Sequence, residues 1–167
     1  MTHRKLRRAA CHLLLAPLLL LTSGCVVYEP EYVIKTGGHF IASWRCSEPL
    51  VRVAVALKET PRDPNTMWPT VALWEAVADE PGVDRFVLFE TGQPGVTVTH
   101  SDLPDNLDSL ALAVMVRSDR HVQGMLFYPG QMAEGTVSWE AGGGPGQSAT
   151  SAEEFFKMSS GVFGCPA

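Results

Sequence analysis

What the sequence is short of narrows it first. The apolar run near its N-terminus, Leu13 to Leu21, covers nine residues with Ala16 and Pro17 among them. About 20 are needed to span ~30 Å of hydrocarbon, so this run does not cross a bilayer. Positive charge is scarce beyond the start. Residues 1–24 hold four of the 13 Lys and Arg and none of the 18 Asp and Glu, so the remainder carries nine against 18, a net charge of −9. A surface of that sign repels phosphate backbones and anionic headgroups, which excludes nucleic acid as a partner. Cationic ligands and metal ions stay open, and solubility alone also accounts for the charge.

Catalytic signatures are missing too. There is no Gly-x-Ser-x-Gly elbow and no His-Glu-x-x-His, and the run GGGPGQSATS lacks the Gly-Lys-Ser/Thr ending of a phosphate loop. Beyond residue 24 the histidines are His39, His100 and His121. A Ser/His/Asp set can assemble in space without a local motif, but the reading favoured here is non-enzymatic.

What is present begins with a charged start. Arg4, Lys5, Arg7 and Arg8 precede the apolar run, the small polar triplet Thr22-Ser23-Gly24 follows it, and Cys25 comes next. A positive n-region and a core of about 7–15 apolar residues describe a secretory signal. The whole order resembles the lipobox of bacterial lipoproteins, with Thr22 where that class commonly carries leucine and Leu21 one place earlier. The resemblance covers residues 1–25. It implies cleavage after Gly24, diacylglycerol on the Cys25 sulfur and often an acyl group on its nitrogen. One acyl chain holds a protein to a membrane marginally, whereas two or three hold it firmly. An ordinary secreted protein with Cys25 as a spare thiol is the alternative. By class analogy Val26 sends such a protein to the outer membrane of a Gram-negative cell. In a Gram-positive cell the site is the outer face of the plasma membrane. The chain divides into a signal at 1–24, a lipid anchor and short tether at 25–37, and one domain at 38–167.

Of four cysteines, Cys11 leaves with the signal and Cys25 is taken by lipid, which leaves Cys46 and Cys165. In an oxidising compartment an even pair reads as a disulfide, which for a loop of about 100 residues is worth about 4–5 kcal/mol in the chain-entropy picture. A catalytic thiol is the alternative, and neither cysteine has a histidine near it in sequence.

From Gly38 onward the apolar period is two. In LVRVAVALKE, Val51, Val53, Val55 and Leu57 alternate with Arg52, Ala54, Ala56 and Lys58. In SLALAVMVR, Leu110, Leu112, Val114 and Val116 alternate with Ala111, Ala113, Met115 and Arg117. HFIASWRC, TVALWEAVA, RFVLFE, VTVTH, VQGMLFY and GTVSWEA add strand-like runs, and RFVLFE, apolar on both faces, reads as a central strand. Turn residues at Pro61–Pro64, Pro81-Gly82, Gly92–Gly95, Ser118–Arg120 and Pro129-Gly130 separate them. The fold class is therefore mainly β, an antiparallel β-sandwich of about seven or eight strands, with an eight-stranded barrel as the alternative. DLPDNLDSLALAVMV is similar to a corner of immunoglobulin-like and fibronectin-type domains, so the sandwich is expected to be immunoglobulin-like. Residues 142–150 read as a flexible glycine-rich loop. Ser151 and Glu154 form a capping box that opens a short helix to about Met158, with Phe155, Phe156 and Phe163 sealing one end of the domain.

Two places are candidate sites. His100, Asp102, Asp105, Asn106 and Asp108 crowd one connection, and calcium takes 6–8 oxygen ligands of this kind. Their spacing is not that of an EF-hand, and Asp and Asn also satisfy turn backbones. Calcium is the ion these oxygens suit, and His100 with Asp102 is the alternative for a transition metal, though three scattered histidines give it thin support; otherwise no cofactor is expected. Met67 and Trp68 place two large apolar groups in the proline-stiffened loop KETPRDPNTMWPT, a candidate surface for a partner; alternatively Trp68 folds back over the sandwich. The expected function is a lipid-anchored, extracytoplasmic accessory or binding module of the cell envelope, held to the membrane through Cys25, with an envelope protein or a small ligand as its partner. The rivals are a metal-dependent domain or hydrolase at 100–108 and a small-molecule carrier, which needs the barrel.

Overall fold

The structure is a computed structural model that describes residues 31–44, 49–140 and 147–162. Cys25, Cys46, Cys165 and Phe163 lie outside the described residues, and with them the signal, the lipidation site and the disulfide pairing. Among the described residues ten strands form: β1 (Glu31–Thr36), β2 (His39–Trp44), β3 (Leu50–Leu57), β4 (Trp74–Ala78), β5 (Arg85–Leu88), β6 (Val96–Ser101), β7 (Leu112–Ser118), β8 (Val122–Phe127), β9 (Thr136–Glu140) and β10 (Gln147–Ser151), followed by helix α1 (Ala152–Val162). They make two five-stranded antiparallel sheets. Sheet A runs β10-β9-β1-β2-β5 and sheet B runs β6-β4-β3-β7-β8. One hydrophobic cluster joins them, with Val33, Ala42, Phe86 and Leu88 from sheet A against Leu50, Val53, Val55, Trp74, Leu112, Val114 and Phe127 from sheet B. The fold is a β-sandwich and not a closed barrel.

All eight strand-like runs of the sequence are strands. The two additional strands correct the expected boundaries. β1 takes residues 31–36 from the segment read as a tether, and β10 takes residues 147–150 from the segment read as a flexible loop. In β7, Leu112, Val114 and Val116 face the core as the alternation predicts. In β3 the register shifts between Leu50 and Arg52. That bulge makes Val51 the extra residue, so Leu50 joins Val53 and Val55 in the core. Trp74 is the largest of the fully buried side chains.

β5 is an edge strand rather than a central one. Its unbroken apolar run has a local cause. Phe89 follows the strand at φ 67°, a left-handed conformation that costs an ordinary residue about 1–2 kcal/mol. The twist reverses the alternation, so Phe89 joins Leu88 on the core side and stacks on Phe127 at 6.3 Å. The free edge of β5 is closed by one side chain. The Gln93 amide accepts from the Val87 N–H (2.8 Å) and donates to the Arg85 carbonyl (2.8 Å), as a neighbouring strand would.

Helix α1 opens with the predicted cap: Ser151 Oγ accepts from the Glu154 N–H (3.2 Å) and donates to the Glu154 carboxylate (3.1 Å). The helix runs on to Val162 and lies on the outer face of sheet A. There Phe155, 1% exposed, packs on Tyr32 and Trp139 with ring centres 5.2 and 5.6 Å away.

Replacing Gln93 with Ala removes both edge hydrogen bonds. We expect a loss of about 1–2 kcal/mol in urea unfolding and concentration-dependent self-association by light scattering. Unfolding and association identical to wild type would show that the edge needs no guard.

Candidate functional site

The outer face of sheet B carries the clearest constellation of polar side chains. Its floor is small and flexible: Ala54 on β3 and Met115 on β7, both buried although they point away from the main core. The segment from Lys58 to Leu73 folds back over this floor as a strap. Its own backbone holds it in shape. Thr70 N–H donates to the Pro61 carbonyl (2.9 Å), Asp63 N–H to that of Trp68 (2.8 Å), and Asp63 Oδ1 accepts from the N–H groups of Asn65 (2.7 Å) and Thr66 (3.2 Å). These are the bonds an Asx turn supplies.

The strap is pinned by Trp68. Its ring packs against Ala54 and Met115 and is 6% exposed. The indole Nε1–H donates to Glu75 Oε2 (3.2 Å), and the Arg52 guanidinium lies 4.5 Å from the ring centre. Arg52 also donates to Glu75 Oε1 through Nε (3.1 Å) and Nη2 (2.7 Å). Thr99, the extra residue of a bulge in β6, donates its hydroxyl to the same Oε1 (3.1 Å). Four donor contacts therefore converge on one carboxylate whose side chain is 15% exposed. Burial acts to raise the Glu75 pKa, but the bonds from Arg52 and Trp68, the Arg52 charge and the Thr99 bond together outweigh it and hold the carboxyl below its ordinary value.

Of the two readings of Trp68, the structure shows the one in which it folds back: the floor and the Glu75 carboxylate draw it down onto the sheet. Met67, its expected companion, stays outside, 49% exposed. It sits at φ 57° and its N–H donates to the Asp63 carbonyl (2.7 Å). Val71, on the same strap, is 67% exposed. The strap therefore carries two exposed apolar side chains, Met67 on the turn that the Arg62–Pro69 bridge closes and Val71 just beyond that bridge, and Met67 is strained into the left-handed region.

The second candidate does not assemble. Among the described residues no group of three or more His, Cys, Asp and Glu side chains is placed to hold a metal ion. The reason is in the leucines between the acids. Leu103, Leu107 and Leu110 pack against the core, so the segment caps one end of the sandwich. His100, Asp102, Asp105 and Asp108 are left exposed around it. His100 stands on β6 opposite Glu75. Asp102 gives its N–H to the Leu73 carbonyl (2.7 Å), and Ser109 bonds the Asn106 carbonyl through N–H and Oγ (2.9 and 2.7 Å). Gly130 seals the cap, since a Cβ there would stand 2.4 Å from the Asp108 carbonyl oxygen.

A further polar group, which the sequence did not point to, braces the β1–β2 hairpin. The Glu134 carboxylate accepts from the N–H groups of Gly37 and Gly38, both at positive φ. Lys35 Nζ donates to the Met132 carbonyl (3.0 Å), and His39 pairs with Glu90. These bonds tie the hairpin to the 132–134 segment and to the end of β5.

The Glu75 node sets a pH dependence. Its folded pKa lies below its unfolded one, so its contribution is complete above the unfolded value, near 4.5, and is lost as pH falls through the folded value. Glu75→Gln should therefore lower Tm at pH 7 and flatten the fall in Tm below about pH 4.5. A variant whose acid limb parallels wild type would contradict this. Trp68→Ala should cost about 3 kcal/mol, the scale for emptying a buried aromatic site. A scan against protein-family models finds no match, and no curated protein or solved structure matches the chain.

Proposed function

We propose that this chain is a lipid-anchored module of a bacterial cell envelope, held to the membrane through Cys25, that acts by binding rather than by catalysis. The support for anchoring is the order of charge, apolar run, small residues and cysteine in residues 1–25. One spacing carries the reading further. β1 begins at Glu31, so only five residues separate it from Cys25. Six backbone steps reach at most about 20 Å, which makes this a domain held against a membrane and not one on a stalk.

The working surface in this reading is the strap. It is braced by Asp63, Pro61 and Trp68, so little order has to be gained on binding. It offers Met67 and Val71 to an apolar patch on a second envelope protein. Glu75, Glu134 and their partners are engaged in holding the strap and the hairpin.

Two experiments test the two halves. Labelled palmitate should enter wild type and not Cys25→Ser, and that variant should leave the membrane fraction; equal labelling of both would refute the anchor. Crosslinking in intact cells should recover a stoichiometric envelope protein with wild type and lose it with Met67→Ser and Val71→Ser combined. Met67→Gly should keep or slightly raise Tm because glycine tolerates φ 57°, so lost capture in that variant reports the side chain and not unfolding. Unchanged capture in both variants would refute the strap as the binding surface.

A further inference from the structure

The two outer faces of the sandwich are covered unequally. That of sheet B is closed by its strap. That of sheet A is covered by α1 over β9 and β10, where Val137 and Phe155 are buried, and is partly open beyond it. The register places Val87, Ile41, Ile34 and Val137 side by side across β5, β2, β1 and β9. The first three are only half-buried. Nearer the start of β1 the same face carries Tyr32, with the ring of Phe156 edge-on at 5.6 Å and 45% exposed.

We infer that this face of sheet A, formed by Tyr32, Ile34, Ile41, Val87 and Phe156, rests on the lipid surface to which the chain is anchored. The inference depends on the anchored reading above. Three observations choose a bilayer as the occupant. First, β1 follows the anchor within about 20 Å and itself supplies Tyr32 and Ile34, so the face cannot stray far from lipid. Second, aromatic rings beside aliphatic side chains are what an interfacial surface uses, with the apolar part in the acyl boundary. Third, charge selects this face over the alternative footing. The end of the sandwich where β1 starts carries exposed charges of both signs, Asp79, Glu80, Asp84 and Asp119 with Arg85, Arg117 and Arg120, and setting them against a bilayer would cost their hydration. The five side chains of the sheet A face carry no charge. At its rim Arg85 lies 3.9 Å from Asp84 and Lys157 bonds Glu153 at 2.6 Å. A domain of net −9 can approach a negative leaflet through such a neutral face. The strap on sheet B then points away from the membrane, toward whatever it binds.

The test uses the full lipidated chain in phosphatidylethanolamine/phosphatidylglycerol vesicles with brominated acyl chains, which quench tryptophan at short range. Trp139 pairs with Tyr32 across β1 and β9 and borders the face from beneath Phe155 of α1. Wild type should float with the vesicles and lose tryptophan emission, and Trp139→Phe should remove most of that loss while still floating. Phe156→Glu should float and be quenched less. Flotation without quenching, or quenching unchanged by Trp139→Phe, would overturn the face while leaving the anchor intact. Failure of wild type to float would overturn the anchor, and the face with it.

Discussion

A β-sheet has two faces, and stacking two sheets covers only two of the four. The inner faces of this protein meet in one core, and their period-two pattern is plain in β3 and β7. The outer faces are not fully polar either. Ala54 and Met115 on sheet B, and Tyr32, Val137 and Trp139 on sheet A, would lie against water if nothing covered them. Each sheet therefore recruits a cover from the chain that leaves it: the strap after β3 for sheet B and α1 after β10 for sheet A. Much of the remaining architecture serves to hold these two covers down.

The covers are held by different physics. Phe155 is pressed into an aromatic cluster by apolar contact alone, with its helix started by Ser151. Trp68 is held by contact below and by a charged network beside it, where Arg52 serves both the ring and Glu75. A carboxylate taken out of water in this way is tolerated only because it is met by several donors. The bulge at Thr99 matters for the same reason, since it aims a hydroxyl at Glu75 from an edge strand.

The sequence exposed what depends on short-range pattern and hid what depends on distant partners. Eight strands, their turns and the Ser151 cap were legible because alternation and capping are local. β1 was not, since Tyr32, Val33 and Ile34 are apolar in succession on both faces, which erases the period. β10 has no large side chain at all and is a strand because β9 offers it a ladder. At the strap, Trp68 was visible as an outlier, but its direction was set by Arg52 and Glu75 on other strands. A charge of each sign on the outward side of LVRVAVAL and WEAVA was the available signal. The acidic segment misled for the complementary reason: its leucines decide its conformation, and they scatter the carboxylates.

The central claim is one of orientation: an anchored sandwich with sheet A toward lipid and the strap of sheet B away from it. Lysine acylation of the full lipidated protein, in detergent and then on vesicles, reads it directly. Lys157 borders Phe156 on α1, and Lys58 begins the strap at the far end of β3; both are exposed. The account predicts that vesicles slow modification of Lys157 and leave Lys58 unchanged. Equal rates at both sites in both media, or protection of Lys58 instead, would contradict it.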